Sequence, residues 1–423
     1  MTEQFLQYVW FQKLFSPLQV TSQGESVEII DVGQLNTDAG PDVFNAKVKI
    51  NNTLWAGNVE FHQKSSDWAR HGHTQNPAYN SVILHVVFDI DAIIYRADGS
   101  EMPQIRLNFS PHLQEQYEVL QQQNSFVACE KQLGKVSSVH LHNWLDRLLV
   151  ERLEQKTHVI EMLLNQTTNN WEEVFYIVLA RNFGFSTNAL AFELLAKSLP
   201  LNILAKHKNN LMQLEALLFG QAGLLEKPNT DDAYVTQLKN EYHFLRTKYQ
   251  LEPIDYSLWK LLRLRPANFP TVRLAQFATL IHQSSKLFSK ILETTSYNDL
   301  RPLFQCEVSD YWLTHYVFGE SCKLVSKKLS KSSIDSLLIN TVVPFLFHYG
   351  KVNNNEELVQ RSFDLLSTIT PEKNHIVTGF ENCGIKSQSA YDSQALIQLK
   401  RGYCDLHKCL QCHISKQVLY AKL

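Results

Sequence analysis

The hydrophobic period of this chain changes once, and that change sets its architecture. Before roughly residue 110 the apolar residues alternate or form short blocks; after it they recur at a spacing near 3.6. Residues 3–15 open with a helical face of Phe5, Leu6, Val9, Trp10 and Leu14. Strands are predicted over 27–30, 43–50, 54–62 and 82–88. Within 43–50, strict alternation puts Phe44, Ala46, Val48 and Ile50 on one side. The block 82–88 is almost continuously apolar, as in a strand covered on both faces. Segments 92–96 and 104–107 flank Asp98-Gly99, which predicts a hairpin.

Further along, segments 141–164, 171–180, 189–199, 211–218, 233–249, 272–288, 334–349 and 356–367 read as amphipathic helices. Gln121, Gln122, Gln123 and Asn124 interrupt the apolar pattern and mark a boundary. The expectation is an α+β chain. A small mixed β-sheet domain over 1–120 precedes a large all-α domain over 121–423 that carries a C-terminal cysteine cluster.

Composition narrows the function. The chain has 423 residues, 44% of them hydrophobic and 11% aromatic, which excludes a disordered protein and leaves ample material for two cores. A net charge of -2 excludes a broad basic surface, so any nucleic-acid contact falls on a local patch. Arg263, Arg265 and Arg273 around Pro266 and Pro270 form such a patch. That corner suits phosphates or serves as a joint paired with acidic residues. Phe219–Leu224 resembles a phosphate loop only in its glycines and reads as a helix exit.

No apolar run approaches the roughly 20 residues that span a bilayer. The start mixes Glu3, Gln4, Gln7, Gln12 and Lys13 into its apolar positions, unlike a signal peptide. With seven cysteines, an odd count, this predicts a cytoplasmic protein with reduced or metal-bound thiols.

The chemistry concentrates between Gly40 and His85. Asp42 follows Gly40-Pro41; Glu60 and His62 alternate on one strand; His71-Gly72-His73 follows Asp67-Trp68; His85 sits in the apolar block. Alternation puts Glu60 and His62 on one face, and a carboxylate between Val59 and Phe61 is costly unless it is paired or holds a metal. Asp42, Glu60, His71, His73 and His85 together make a mixed oxygen and nitrogen set suited to a divalent ion that activates water. The competing reading is plainer: surface histidines at 71 and 73, and a satisfied core histidine at 85.

A second set lies at the end of the chain. Cys404, Cys409 and Cys412 follow a C-x4-C-x2-C spacing, with Cys383 upstream. Four thiolates close a zinc site or hold an iron–sulfur cluster; the alternative is a group of buried thiols. Cys129, Cys306 and Cys322 have no such spacing and read as core or surface thiols.

The order of helix, strand, strand with Pro41-Asp42 and strand with Glu60-Phe61-His62 resembles the PD-(D/E)xK nuclease superfamily. That resemblance implies a restriction-endonuclease-like front domain, with Mg²⁺ or Mn²⁺ on Asp42 and Glu60 and support from Glu3 or Gln4. It departs from the pattern in two places. His62 stands where a lysine belongs, and 65–80, with Gly72 and Pro77, makes a poor helix. Some members of that superfamily also staple their C-terminus with a cysteine-held cluster. Over nearly its whole length, the chain resembles a bacterial family catalogued as domain of unknown function 2851. The residues that carry this resemblance are Ala39–Asp42, Gly57–His62, Asp67-Trp68, His71–His73, Leu84–Val87, Arg265-Pro266 and Tyr403 to Cys412; no activity comes with it.

Two functions fit these residues. One is a metal-dependent hydrolase of nucleic-acid phosphodiesters, with Asp42, Glu60 and His62 catalytic. The other is a non-catalytic scaffold or binding protein, in which the front cluster is a structural metal site or a closed polar network. A hydrolase requires an open ligand position; a scaffold requires closure.

Overall fold

The structure is a computed structural model that describes residues 2–420, apart from 37, 124, 227–230 and 285. Asn124, part of the polar interruption, thus lies outside the described residues. The fold is α+β, and the chain divides into two compact units, Met1–Leu141 with Lys400–Leu423, and His142–Leu399. The division expected at 120/121 therefore falls later. The C-terminal cysteine segment belongs to the sheet unit rather than to the helical one.

The sheet unit opens with helix α1 (Glu3–Phe11), whose first turn is capped by the Thr2 hydroxyl accepting from Phe5 N–H at 3.3 Å. Strands β1 (Leu18–Val20), β2 (Ser26–Asp31), β3 (Gln34–Leu35), β4 (Val43–Ile50), β5 (Thr53–Lys64), β6 (Val82–Asp89) and β7 (Gln104–Arg106) form one sheet. Its order is β1-β2-β4-β5-β6-β7, with β3 also on β4. Neighbours are antiparallel as far as β5, while β6 runs parallel to β5 and β7 parallel to β6. Asn51, in the left-handed region, makes the tight turn between β4 and β5. One face of the sheet packs on α1. Phe5, Val9 and Trp10 bury against Val48, Val59, Phe61 and Val86.

Two expectations fail here. Alternation in β4 breaks at a bulge: Val43 pairs with Val59 but Ala46 pairs with Gly57, and Asn45 takes φ 55. The extra residue reverses the face parity. Val43 is buried and Phe44, expected inside, is 36% exposed. It also puts Asp42 out of phase with Ala46, Val48 and Ile50, the positions that fill the core. The predicted hairpin around Asp98-Gly99 is reduced to one bridge, Tyr95 to Glu101. The second arm is recruited into the parallel ladder, where His85, Val86 and Val87 pair with Gln104, Ile105 and Arg106. Burying Ile105 there outweighs the local turn preference.

The polar boundary region contains a helix, α2 (Pro111–Gln122), whose Tyr117 stacks on Phe5 with ring centroids 4.6 Å apart. The helical unit follows the 3.6 period. Ala233–Tyr249 matches the expected span; 272–288 divides into Pro270–Gln283 and Leu287–Glu293; a π-helical turn, Leu338–Val342, interrupts 334–349. The helix Leu211–Gln221 ends at Gly223, φ 68, where an added Cβ would meet the Ile254 carbonyl oxygen at 2.6 Å, so this glycine segment is a cap. Glu215 in that helix is buried, and its oxygens accept from Ser309 Oγ at 2.7 Å and Tyr234 Oη at 2.9 Å.

Candidate metal centre

The polar cluster stands on the sheet where antiparallel pairing gives way to parallel. Val43 pairs with Val59, so Asp42, just before β4, comes level with Glu60. The two residues interlock. Asp42 N–H donates to Glu60 Oε2 at 2.9 Å, and Phe61 N–H donates to Asp42 Oδ2 at 3.0 Å. Glu60 is paired in register with His85 of the parallel neighbour. Two residues on, His62 is 1% exposed and lies between two imidazoles. Its Nδ1 is 2.8 Å from His85 Nε2, and its Nε2 is 3.1 Å from His71 Nδ1.

The crossover between β5 and β6 supplies the rest. It is a four-residue helix, Asp67–Arg70, and two short 3-10 turns, as Gly72 and Pro77 predict for a poor helix. Gly72 at φ 73 turns the chain so that His71 and His73 both reach back to the sheet. His73 stacks on Tyr79 with centroids 3.8 Å apart, and its Nε2 stands 3.4 Å from Glu60 Oε1. The same carboxylate oxygen is 3.8 Å from His62 Nε2. Nitrogens of His62, His71 and His73 all lie within 4.8 Å of one another, close enough to share one ion.

Electrostatics mark the cluster as incomplete. Burial, then the Asp42 and Glu3 carboxylates, pushes Glu60 up to about 8. Burial raises Asp42 and Glu3 as well. Burial, then the surrounding His85, His73 and His71, holds His62 down at about 2; burial holds His73 and His85 at about 4. His62, His73 and His85 are therefore neutral near pH 7, the form that binds metals. Among the described residues, no lysine or arginine makes an ion pair with Glu3, Asp42 or Glu60. Among the described residues, His73 Nε2 is buried without a hydrogen-bond partner, while His85 interacts with the Gln104 side chain. Solvent reaches the cluster through exposed His71 and half-buried Asp42 and Glu3.

The predicted residues take distinct places. His62, His71 and His73 face one point, and Glu60 stands beside two of them. His85 stands behind His62 and fixes its ring, as an outer partner orients a ligand. Asp42 is anchored by the Phe61 amide and the Gln7 side chain. From α1 the contributors are Glu3 and Gln7, four residues apart on one helical face, while Gln4 is exposed. That spacing was the available signal for Gln7.

The other predicted sets redistribute. Cys383 belongs to the helical unit, whereas Cys404, Cys409 and Cys412 belong to the sheet unit. There Cys129 is a further thiol near Cys404, but among the described residues the group gathered closely enough to share an ion is His62, His71 and His73, not these cysteines. Burial pushes the Cys404 thiol up, and Cys412, Cys129 and Cys409 push it further; Cys409 is raised to about 11. Cys129 and Leu410 pack on one core with Val418 and Leu419. All seven cysteines are thiols. In the helical unit, Arg263 and Arg265 are exposed, but Arg273 is buried and bonds only neutral groups, so no joint of paired arginines and carboxylates forms at Arg273. No helix among the described residues is long and apolar enough to cross a membrane.

Comparison with known proteins adds a family. The profile of the family described as "Protein of unknown function (DUF2851)" matches residues 3–375, and the chain belongs to that family. No curated protein and no solved structure matches it.

Proposed function

For this member of the DUF2851 family we propose metal-dependent hydrolysis of phosphodiester bonds, with the ion held by His62, His71, His73 and Glu60. The observation that carries the reading is the convergence of His62, His71 and His73 beside mutually repelling carboxylates, with no lysine or arginine in an ion pair with Glu3, Asp42 or Glu60 among the described residues. Nitrogen and oxygen donors together fit Mn²⁺ or Zn²⁺ better than Mg²⁺, which favours oxygen. Bound there, such an ion supplies Lewis acidity and lowers the pKa of water. The chain's own residues do the rest. His85 and the Phe61 amide hold His62 and Asp42 in place; Glu60 stands within reach of two rings; half-buried Asp42 and Glu3 face solvent beside it.

The phosphodiester substrate rests on the resemblance of the sequence motifs to those of PD-(D/E)xK nucleases. An acidic residue opens one strand, an acid-x-base pair lies on the next, and a first-helix glutamate joins them. The test is cleavage of single- and double-stranded DNA with Mn²⁺. We expect Glu60→Gln to lower the rate by about 10²–10⁴, the usual share of a group acting on the reacting water. Equal rates for the two proteins reject the assignment.

In the same unit, Cys129, Cys409 and Cys412 lie close enough to Cys404 to raise its thiol, and the second part of the proposal is that zinc or an iron–sulfur cluster draws these four sulfurs together. The 3-10 turn Cys409–Gln411 is closed by Cys412 N–H donating to the Cys409 carbonyl at 3.1 Å, and Ser415 Oγ bonds both of those residues' carbonyls. Elemental analysis checks this. Metal retained by Cys383→Ser but lost from Cys129→Ser is expected; the opposite result restores Cys383 as the ligand.

A further inference from the structure

The helical unit holds a cavity of about 610 Å³ whose walls carry positive charge and no carboxylate. Arg265, Arg273, Lys327 and Lys328 line it, and no Asp or Glu does. The nearby acid, Glu307, is off the wall and already engaged by Lys328 at 3.4 Å and by Ser326 Oγ at 2.7 Å.

Arg273 is the informative member. Its residue is 7% exposed. Nη1 donates to Gln276 Oε1 at 3.0 Å, and Nη2 to Asn268 Oδ1 at 2.6 Å and Ser333 Oγ at 3.4 Å. The guanidinium lies over the Phe185 ring, 4.4 Å from its centroid. Every partner is neutral, and Nε is buried without any. Among the described residues no carboxylate forms an ion pair with it. Lys327 repeats the pattern: it is buried, donates Nζ to the Trp312 carbonyl and sits 4.2 Å from the Tyr316 ring centroid. A buried charge without a counter-charge costs several kcal/mol, so a pair of them on one cavity wall calls for an anion. Phe185, which forms part of the wall, is held at φ 48, a conformation that bulky residues adopt only where the surroundings impose it.

We propose that this cavity binds the phosphate group of a small molecule. Arg273 supplies the anion with its charge and with the N–H group that Gln276, Asn268 and Ser333 leave unused on the guanidinium, and Ser332 and Ser333 add hydroxyl donors. At the mouth, exposed Arg265 guides the entry of a doubly charged group, and exposed Lys328 shares its charge between that group and Glu307. The volume leaves room for an organic part beside the phosphate. This site is independent of the histidine cluster, since all its residues belong to the helical unit.

The test uses the full chain with inorganic phosphate as the probe, and sodium chloride at equal ionic strength as the reference. Phosphate is expected to raise the melting temperature where chloride does not. The double variant Arg265→Ala with Lys328→Ala, both at exposed positions, is expected to weaken phosphate binding at least tenfold by calorimetry. Arg273→Gln is expected to abolish it; should that variant not fold, the exposed pair still decides. Phosphate acting no better than chloride, or binding equally to wild type and the double variant, overturns the proposal.

Discussion

Two buried glutamates, one in each unit, show what separates a finished polar group from an unfinished one. Glu215 in the helical unit gives each oxygen to a hydroxyl, Ser309 and Tyr234, and Tyr234 in turn accepts from Trp312 Nε1 at 3.1 Å. Glu60 in the sheet unit takes one backbone N–H and otherwise faces imidazoles at 3.4 and 3.8 Å and two repelling carboxylates. Burial raises both, Glu215 to about 7 and Glu60 to about 8. A perturbed carboxyl is therefore no signature of a site by itself. The distinction lies in the partners: closed and neutral around Glu215, open and short of positive charge around Glu60.

The pH dependence of metal-free protein sharpens this contrast most. His62, His73 and His85 have folded values below the ordinary 6.5, so the unfolded chain takes up their protons first. Stability should fall as pH drops below about 6.5, by up to about 1.4 kcal/mol per pH unit for each proton. Glu60 has the opposite fault. Its folded value exceeds the unfolded one, so its contribution is lost as pH rises from about 4.5 through about 8. The three histidines outweigh it below pH 6.5, and the optimum should lie near there. Denaturant melts from pH 5 to 9 check this. His62→Asn should flatten the acid arm and Glu60→Gln the alkaline arm.

The same substitution in the two places should have opposite signs. At pH 8, Glu215→Gln is expected to cost about 1–3 kcal/mol, because two hydroxyls lose a charged acceptor. Glu60→Gln at pH 8 is expected to stabilise the metal-free protein by a similar order, by removing repulsion. Equal destabilisation by both would make the front cluster another closed network.

A smaller effect tests how Asp42 reaches its place. Asn45→Val puts a β-branched residue at φ 55 and should cost about 1–2 kcal/mol. It should also weaken metal binding, because straightening the bulge returns Asp42 to the parity of Ala46. Unchanged metal affinity would mean that the bulge serves only the strand.

Much of this was readable from the residues. Period changes placed the sheet and the helices, and alternation put Glu60 and His62 together, because local spacing dictates both. What failed was set by long-range packing. The bulge at Asn45 is a register shift between β4 and β5 that alternation along one strand does not report, and alternation alone put Phe44 inside. Asp98-Gly99 forms its turn, yet the strand after it joins β6, since burying Ile105 in the core outweighs a local hairpin. Cys129 was passed over because motif spacing is a local signal, and its companions arrive only when the chain returns to the sheet unit at Lys400. The basic corner of Arg263, Arg265 and Arg273 was read as one local patch, whereas Arg273 is buried among neutral partners, because spacing along the chain does not report burial.

The most direct measurement of the central claim is a calorimetric titration of Mn²⁺ and Zn²⁺ into wild type, Glu60→Gln and Glu215→Gln, each with Cys129 and Cys404 replaced by serine so that only the front cluster reports. One ion is expected to bind per wild-type chain, with affinity at least tenfold weaker in Glu60→Gln and unchanged in Glu215→Gln. Absence of binding to wild type, or equal binding to wild type and Glu60→Gln, would contradict it.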